Sequence, residues 1–307
     1  MTPQNVLHPP LPFILESLHK SQVIPFLGSG ASMSGRGRNE KWTHKAEFLP
    51  SSGELAEYLA KKADFPRNES KELTKVSQYF QVVTGREPLE QELHRIFELN
   101  CPHNSLHHFL AEISVPLLVV TTNYDDLIER AFDARGRKYD LVIHTTEPKH
   151  GDRIFWKPYG QLEPQKIIPN KLNIDLDSVA VIYKMHGTIS RSDSLEDQYI
   201  ITEDDYINFL VRMNKNSAIP AIFVQRFQEC HFLFLGYGLQ DWNMRVVLNR
   251  VGREWKQSKK RSKDKVSWAI QNKPSPLEIR FWENRGVGIY DLEIDEFVQM
   301  LKKVKVD

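Results

Sequence analysis

The chain has 307 residues, of which 40% are hydrophobic and 26% are charged, with 41 Lys and Arg against 40 Asp and Glu. This composition is too apolar for a disordered protein and too charged for a membrane protein, and the balanced charge gives no argument for a nucleic-acid-binding or membrane-binding surface. Two cysteines, Cys101 and Cys230, cannot supply a four-cysteine zinc site. The N-terminus lacks the pattern of a signal peptide and no apolar stretch reaches the roughly 18–20 residues that span a bilayer, so we expect a cytoplasmic protein.

Six short, mostly continuous apolar runs predict strands that are covered by helices on both faces. They are residues 23–28, 116–122, 179–185, 231–236, 266–270 and 287–292. Amphipathic stretches predict helices between and after them, at 54–63, 69–83, 88–99, 104–113, 123–132, 242–251 and 295–304. This alternation predicts an α/β fold with a doubly wound, mainly parallel, Rossmann-like sheet.

The spacing of these elements predicts one domain over residues 1–307 with a helical insertion at 36–115. Roughly 80 residues separate the first two strands, far more than a short crossover connection needs. Residues 136–178 are rich in proline and are predicted to form loops and short extended pieces. The basic run at 256–265 is interpreted as a solvated loop in preference to a nucleic-acid or partner contact.

A glycine turn follows the first strand directly, with the sequence Gly28-Ser29-Gly30-Ala31-Ser32. Glycine permits a tight turn and close approach of a phosphate, and the amides beyond such a strand can hold a pyrophosphate. The turn is not a complete dinucleotide fingerprint, because Met33 stands at the third glycine position. An ordinary strand–helix turn and a pyrophosphate loop both stay open at this point.

Three further strand ends carry polar residues or glycine. They are Thr121-Thr122-Asn123-Tyr124-Asp125, Lys184-Met185-His186-Gly187 and Gly236-Tyr237-Gly238-Leu239-Gln240-Asp241. Helix capping would explain Asn123, Asp125 or Asp241 taken alone, and a lone histidine is more often structural. However, ligands of open α/β sheets bind beyond the carboxyl ends of strands, and a histidine there can act as a base near neutral pH. Four such ends together indicate one crevice that binds a nucleotide and acts on it.

These motifs resemble those of the sirtuin superfamily. GSGAS resembles its glycine-rich NAD loop, TTNYD its Thr-Gln-Asn-Ile-Asp motif, and MHG its catalytic His-Gly. More closely, FLGYGLQDWN, the ITEDDY segment at 201–206 and the ending RFWENRGVGIYDLEIDEFVQML resemble the bacterial sirtuin-like proteins of antiphage defence. The resemblance covers roughly residues 15 to 303.

The resemblance implies an NAD+ hydrolase that releases nicotinamide and ADP-ribose, with NAD+ as its substrate and no metal. Carried over by position, Asn123 orients the water or the nicotinamide ribose, His186 is the base at the ribose, and Asp125 helps to hold the nicotinamide end. The resemblance implies that Gly28, Gly30, Ala31 and Ser32 line the pyrophosphate and that Gly236, Tyr237 and Gly238 lie towards the adenosine. Ser29 and Thr122 are also implied to contact the dinucleotide.

Three departures from the classical deacylating sirtuins disfavour acyl-lysine binding. The zinc ribbon cannot form, Thr122 replaces the glutamine of the family motif, and no Pro-Asp-Phe-Arg pattern follows the glycines. An NAD-dependent protein deacylase is the alternative enzyme, and a non-catalytic module that binds NAD or ADP-ribose is the alternative without catalysis. A metal site at His103, His107 and His108 is disfavoured against a solvated helix face, since no carboxylate or cysteine completes a set.

An enzyme that drains NAD+ would be toxic if it were always active, so we expect a gated effector of abortive infection. The expected gate is a homo-oligomer together with a separate sensor or ATPase. By resemblance, a HerA-type ATPase or a short Argonaute are candidates. We expect neither membrane binding nor direct nucleic-acid binding by this chain.

Overall fold

The computed structural model describes residues 8–37, 40–145, 151–191, 197–214, 218–238 and 266–304. The predicted helix at 242–251 and the basic run at 256–265 lie outside the described residues, as does the end of the fourth motif at 239–241.

A large, mostly parallel sheet forms the centre of the protein. Its strands are β1 (Val23–Leu27), β2 (Leu118–Thr121), β3 (Tyr139–His144), β4 (Ile154–Lys157), β5 (Gln165–Ile167), β6 (Ala180–Lys184), β9 (His231–Leu235), β10 (Ser267–Gln271) and β11 (Val287–Asp291), and a separate pair comprises β7 (Gly187–Thr188) and β8 (Gln198–Tyr199). The strand order is β11-β10-β9-β1-β2-β6-β3-β4-β5, and only the β3–β4 and β4–β5 pairings are antiparallel. All six predicted strands are present in this sheet, and the α/β prediction is confirmed.

Helices cover both faces of the sheet. They are α1 (Leu11–His19), α2 (Ser29–Ser32), α3 (Ser52–Lys62), α4 (Leu73–Thr84), α5 (Arg86–Phe97), α6 (Ser105–Glu112), α7 (Leu127–Ala134), α8 (Glu203–Asn214), α9 (Ala221–Glu229), α10 (Pro276–Glu283) and α11 (Ile294–Lys303). None of the helices in the described ranges has the length and apolar character that crossing a membrane requires.

The central strands are buried on both faces, which explains their continuous apolar sequences. In β1, Ile24 and Phe26 pack into the cluster that includes residues of α8 and α9, whereas Val23 and Leu27 pack on the opposite face with residues of α1, α6, α7 and α11. Successive side chains of a strand point to opposite faces, so a strand in this position needs apolar residues throughout. Burying one such side chain contributes about 1.5–3 kcal/mol.

Helices α3 to α6 lie between β1 and β2, in the interval where the insertion is predicted. The first three of them share a hydrophobic cluster of their own, which also takes in Tyr124, Leu127 and Tyr199. Helix α3 begins with a capping box, in which Ser51 and Glu54 satisfy each other's backbone amides. Helix α6 differs, because its apolar residues pack against the sheet together with α7 and α11.

The stretch at 136–178 is more regular than its sequence predicts. It contains β3, a six-residue strand that pairs in parallel with β6, followed by the antiparallel strands β4 and β5. Asp140 is buried inside β3, where its carboxylate accepts hydrogen bonds from Trp156 Nε1 (2.8 Å) and from the backbone amide of Tyr159 (2.9 Å).

Candidate active site

The carboxyl ends of β9, β1, β2 and β6 are adjacent at one edge of the sheet, and a cavity of about 270 Å³ lies there. This is close to the lower end of the roughly 300–1,000 Å³ that is usual for small-molecule sites. The cavity is lined by Ser29, Ser32, Leu49, Pro50, Ser52, Leu55, Leu73, Phe97, Thr122, Asn123, Tyr124, Asp125, His186, Tyr206, Tyr237 and Gly238. Residues from all four motifs therefore meet in one place.

The two glycine turns pack backbone against backbone behind this lining. The Gly28 amide donates to Leu235 O (3.1 Å) and the Gly30 amide to Gly236 O (2.9 Å). Gly236 has φ +65°, and a Cβ added there would lie 2.7 Å from Gly30 Cα and closer still to Ala31 N. Side chains are thus excluded at these positions by the mutual approach of the two turns. Of the predicted nucleotide contacts, Ser29, Ser32, Thr122, Tyr237 and Gly238 line the cavity, whereas Gly28, Gly30, Ala31 and Gly236 are not among its lining residues.

Asn123 joins the second motif to the glycine turn. Its Nδ2 donates to Gly28 O and to Ser32 Oγ, both at 2.9 Å, and its backbone amide donates to Thr121 Oγ1 (3.0 Å). Both side-chain hydrogen bonds use Nδ2, so Oδ1 has no hydrogen-bond partner within the described ranges. The side chain is therefore held in a fixed orientation and retains an acceptor at the cavity.

Asp125 is buried and both of its carboxylate oxygens are engaged. Oδ2 accepts from Ser32 Oγ (2.7 Å), and Oδ1 accepts from the amide of Leu127 in the first turn of α7 (3.2 Å). The second bond is the helix-capping role considered for this residue. The first bond fixes Ser32 at the cavity, which Asp125 itself also lines. Direct contact with nicotinamide stays a prediction.

A buried cation lies beneath this turn. Lys184 has no exposed surface; its Nζ donates to the backbone oxygen of Asp125 and pairs with Glu129 at 3.0 Å. Burial raises the pKa of the Glu129 carboxyl above its usual value. Lys184 thereby fixes the loop that carries Asn123 from below, a role that was not predicted from the sequence.

His186 lies at the end of β6 with only 4% of its surface exposed. Its Nδ1 is 3.4 Å from the hydroxyl of Tyr206, and the two rings meet edge to face at 5.3 Å. Gly187, which follows, has φ +88°, and a Cβ there would come within 2.9 Å of Gln198 Cβ. The glycine therefore lets the chain turn sharply against β8 and leave the histidine at the cavity.

The apolar part of the lining was not predicted from the sequence. Leu49, Leu55, Leu73 and Phe97 come from the segment between β1 and β2, and Tyr206 comes from the first turn of α8. Tyr206 belongs to the ITEDDY segment, for which the sequence indicated a family resemblance but no role at the site. A signal for its placement exists, because a threonine followed three residues later by an aspartate is typical of a helix start.

The histidines near α6 differ from the solvated face that was predicted for them. His107 is buried, its Nδ1 accepts from the backbone amide of Asn104 (3.3 Å), and burial lowers the pKa of His107 to about 3. His103 and His108 hydrogen-bond each other at 2.9 Å. Across the described ranges, no group of three or more His, Cys, Asp or Glu residues is arranged to hold a metal ion.

Comparison with known proteins gives a family and several relatives. The sequence model of the SIR2-like domain matches residues 117–290. "Defense-associated sirtuin 2" of Bacillus subtilis is 26% identical over 287 residues, which cover 91% of this chain and 24% of that protein. "NAD(+) hydrolase ThsA" of Cytobacillus dafuensis is 26% identical over 238 residues, covering 77% of this chain and 39% of that protein. "NAD(+) hydrolase ThsA" of Acinetobacter baumannii (strain 532279) is 28% identical over 254 residues, with corresponding shares of 80% and 42%. The chain thus spans between 24% and 42% of the length of these three curated relatives.

Proposed function

The chain belongs to the SIR2-like domain family, and from that premise we propose that it is a hydrolase that cleaves NAD+ into nicotinamide and ADP-ribose. The observation that carries the proposal is the meeting of Ser32, Asn123 and His186 in one cavity. Each belongs to the segment that follows a different strand, and Ser32 ends the short helix after β1. The names of two relatives as NAD+ hydrolases support the same activity.

The chemistry needs positioning and a base. When the N-glycosidic bond breaks, nicotinamide takes the bonding electrons and leaves as a neutral molecule, and the ribose becomes oxocarbenium-like, as in other glycoside cleavages. Water then adds to the anomeric carbon and loses a proton. The balance is NAD+ and water to nicotinamide, ADP-ribose and one proton, which His186 accepts first in this proposal.

Each side chain has a role that follows from its contacts. Asn123 presents Oδ1 to the attacking water or to a hydroxyl of the nicotinamide ribose, because its Nδ2 is held by Gly28 O and Ser32 Oγ. Asp125 helps to hold the nicotinamide end, and its Oδ2 fixes the hydroxyl of Ser32. The pyrophosphate lies along the first glycine turn, and the adenosine lies towards Tyr237, whose ring packs edge to face on Phe26 at 5.5 Å.

The wider setting is part of the same proposal. We infer a cytoplasmic, gated effector of antiphage defence that acts by abortive infection, as a homo-oligomer controlled by a separate sensor such as a HerA-type ATPase or a short Argonaute. The name of the Bacillus subtilis relative, a defence-associated sirtuin, supports the setting in defence. The insertion at 36–115, within a single domain of 1–307, supplies the apolar wall of the cavity in this proposal.

The test is nicotinamide release from NAD+ by the wild type, Asn123→Ala and His186→Ala, with and without the candidate partners. Asn284→Ala and His19→Ala are matched controls, because both side chains are exposed and lie outside the cavity. We expect at least about a hundredfold slower release in both site variants, because His186→Ala removes the base and Asn123→Ala removes the group that positions the water or the ribose. Undiminished release by both site variants would refute the assignment.

A second arm separates hydrolase from deacylase. We expect NAD+ consumption without any peptide, at a rate that an acetylated peptide does not raise. Consumption that depends on the acetylated peptide would identify the deacylase, and tight NAD+ binding without turnover in the presence of every partner would identify the binding module.

A further inference from the structure

The ITEDDY segment forms a rigid start for α8. The Asp205 amide donates to Thr202 Oγ1 (3.2 Å), and Asp205 Oδ2 accepts from the amides of Ile201 and Thr202, both at 3.0 Å. This reciprocal cap satisfies amides that a helix start leaves without partners. It fixes the direction of the first turn, and with it the position of Tyr206.

Contacts from the helical segment hold the same turn from outside. Arg86 of α5 donates to Asp205 Oδ2 (2.8 Å) and to Tyr199 O (2.8 Å), while Gln78 of α4 donates to Asp204 (2.8 Å). The first turn of α8, residues 203–206, is therefore held by its own cap and by contacts from α4 and α5. Such anchoring is what a side chain needs if it is to orient a reacting group.

Tyr206 uses this position to contact His186. Its hydroxyl lies 3.4 Å from Nδ1, its ring lines the cavity, and 8% of its surface is exposed. A neutral imidazole carries one N–H, so only one ring nitrogen has a lone pair that can take a proton. If Nδ1 carries the hydrogen, Nε2 is the base. The group that accepts the hydrogen bond from Nδ1–H then determines which tautomer is present.

We propose that Tyr206 is a positioning residue for His186. Its hydroxyl oxygen accepts a hydrogen bond from Nδ1–H, which holds the ring in the tautomer whose Nε2 takes the proton from water. The kinetic consequence rests on the proposed NAD+ hydrolysis, whereas the tautomer itself does not.

The test compares Tyr206→Phe with the wild type in the full chain. Phenylalanine keeps the edge-to-face ring contact and removes only the hydroxyl. Tyr183→Phe is the matched control, because its hydroxyl donates to Ala218 O at the same 3.4 Å and Tyr183 does not line the cavity. Two-dimensional ¹H–¹⁵N spectra of histidine side chains report the tautomer, and the His186 signals are assigned by their loss in His186→Gln.

We expect the Nδ1–H tautomer at His186 in the wild type and in Tyr183→Phe, and a rise of the Nε2–H tautomer in Tyr206→Phe. The same tautomer populations in Tyr206→Phe and the wild type would overturn the proposal, as would the Nε2–H tautomer in the wild type. This readout does not require turnover, so it decides the role of Tyr206 even if the chain hydrolyses no NAD+.

Kinetics provide the second readout. We expect kcat for nicotinamide release to fall about 5- to 10-fold in Tyr206→Phe with KM changed less than about twofold, the size of one net hydrogen bond used in the reaction. An unchanged kcat would overturn the positioning role. If the wild type with its partners releases no nicotinamide, the proposed function fails while the tautomer comparison still stands.

Discussion

Gly236→Ala should destabilise the protein strongly, because two separate terms oppose a side chain there. The backbone has φ +65°, where a residue other than glycine loses about 1–2 kcal/mol. In addition, the new Cβ would lie 2.7 Å from Gly30 Cα, well inside van der Waals contact, so β1 and its turn must move apart from β9. Overpacking of this kind contributes about 1–3 kcal/mol more. We expect the free energy of unfolding to fall by about 2–5 kcal/mol.

Gly136→Ala isolates the first term. Gly136 has nearly the same φ, +62°, and no atom lies within 4 Å of the position that its Cβ would take. Its free energy of unfolding should therefore fall by only about 1–2 kcal/mol. The measurement is urea-induced unfolding followed by tryptophan fluorescence. The dependence of the free energy of unfolding on urea concentration should have the same slope in all three proteins, so that a shifted midpoint reports a change of stability.

The same pair of variants links stability to the site. Moving the two turns apart displaces Ser32 and Tyr237, which line the cavity, so Gly236→Ala should also bind NAD+ more weakly, as measured by calorimetry under conditions where the variant is folded. Gly136→Ala should bind NAD+ as the wild type does. Equal losses of stability in the two variants would refute the reasoning, because the close approach of the turns would then contribute nothing.

Three further predictions concern groups away from the reacting atoms. Burial lowers the pKa of His107 to about 3, so below about pH 6.5 the unfolded chain binds a proton that the folded chain does not. The free energy of unfolding should therefore fall by up to about 1.4 kcal/mol per pH unit as the pH falls below about 6.5. His107→Gln should lose this pH dependence in urea unfolding, and parallel pH profiles of stability for the two proteins would contradict the prediction. Hydrogen bonding to Arg36 lowers the pKa of Glu54, so the wild type should lose stability relative to Glu54→Gln as the pH falls below about 4.3; a constant difference down to pH 3 would speak against this pairing. Arg86→Met keeps the aliphatic part of the side chain but removes the hydrogen bonds to Asp205 and Tyr199 O. It should lower the free energy of unfolding by about 1–2 kcal/mol and slow nicotinamide release. Full activity with reduced stability would mean that Arg86 does not act on the site.

The strands of the sheet could be predicted where the sequence of the strand alone shows that it is buried. Strands such as β1 and β9 are apolar at every position because both faces are covered, so their sequences alone identify them. The interior of β3 contains Asp140, a residue that strands normally avoid. Its partners, Trp156 and the amide of Tyr159, come from later in the chain, so no local pattern shows that this charge is satisfied.

The candidate site likewise contains residues that could be predicted from the sequence and residues that could not. Asn123 and His186 could be singled out because they follow strands directly, and the ends of parallel strands meet at one edge. The apolar wall could not, since Phe97 and Leu55 look like any buried positions of an amphipathic helix until the helices are seen to pack over the cavity. The support that Lys184 gives to the loop of Asn123 was not predicted either, because its partner Glu129 is known only once α7 is placed beside β6.

The pairing of β1 with β9 makes assembly of the cavity depend on the order in which the ribosome makes the chain. Val23 pairs with His231, so the first glycine turn waits for a strand that is synthesised about 200 residues later, roughly 10–40 s at about 5–20 residues per second. Until then the Gly30 amide has no Gly236 carbonyl to donate to, and the edge of the sheet that carries the cavity is incomplete. If the chain hydrolyses NAD+ as proposed, a chain that is still under synthesis should therefore consume none.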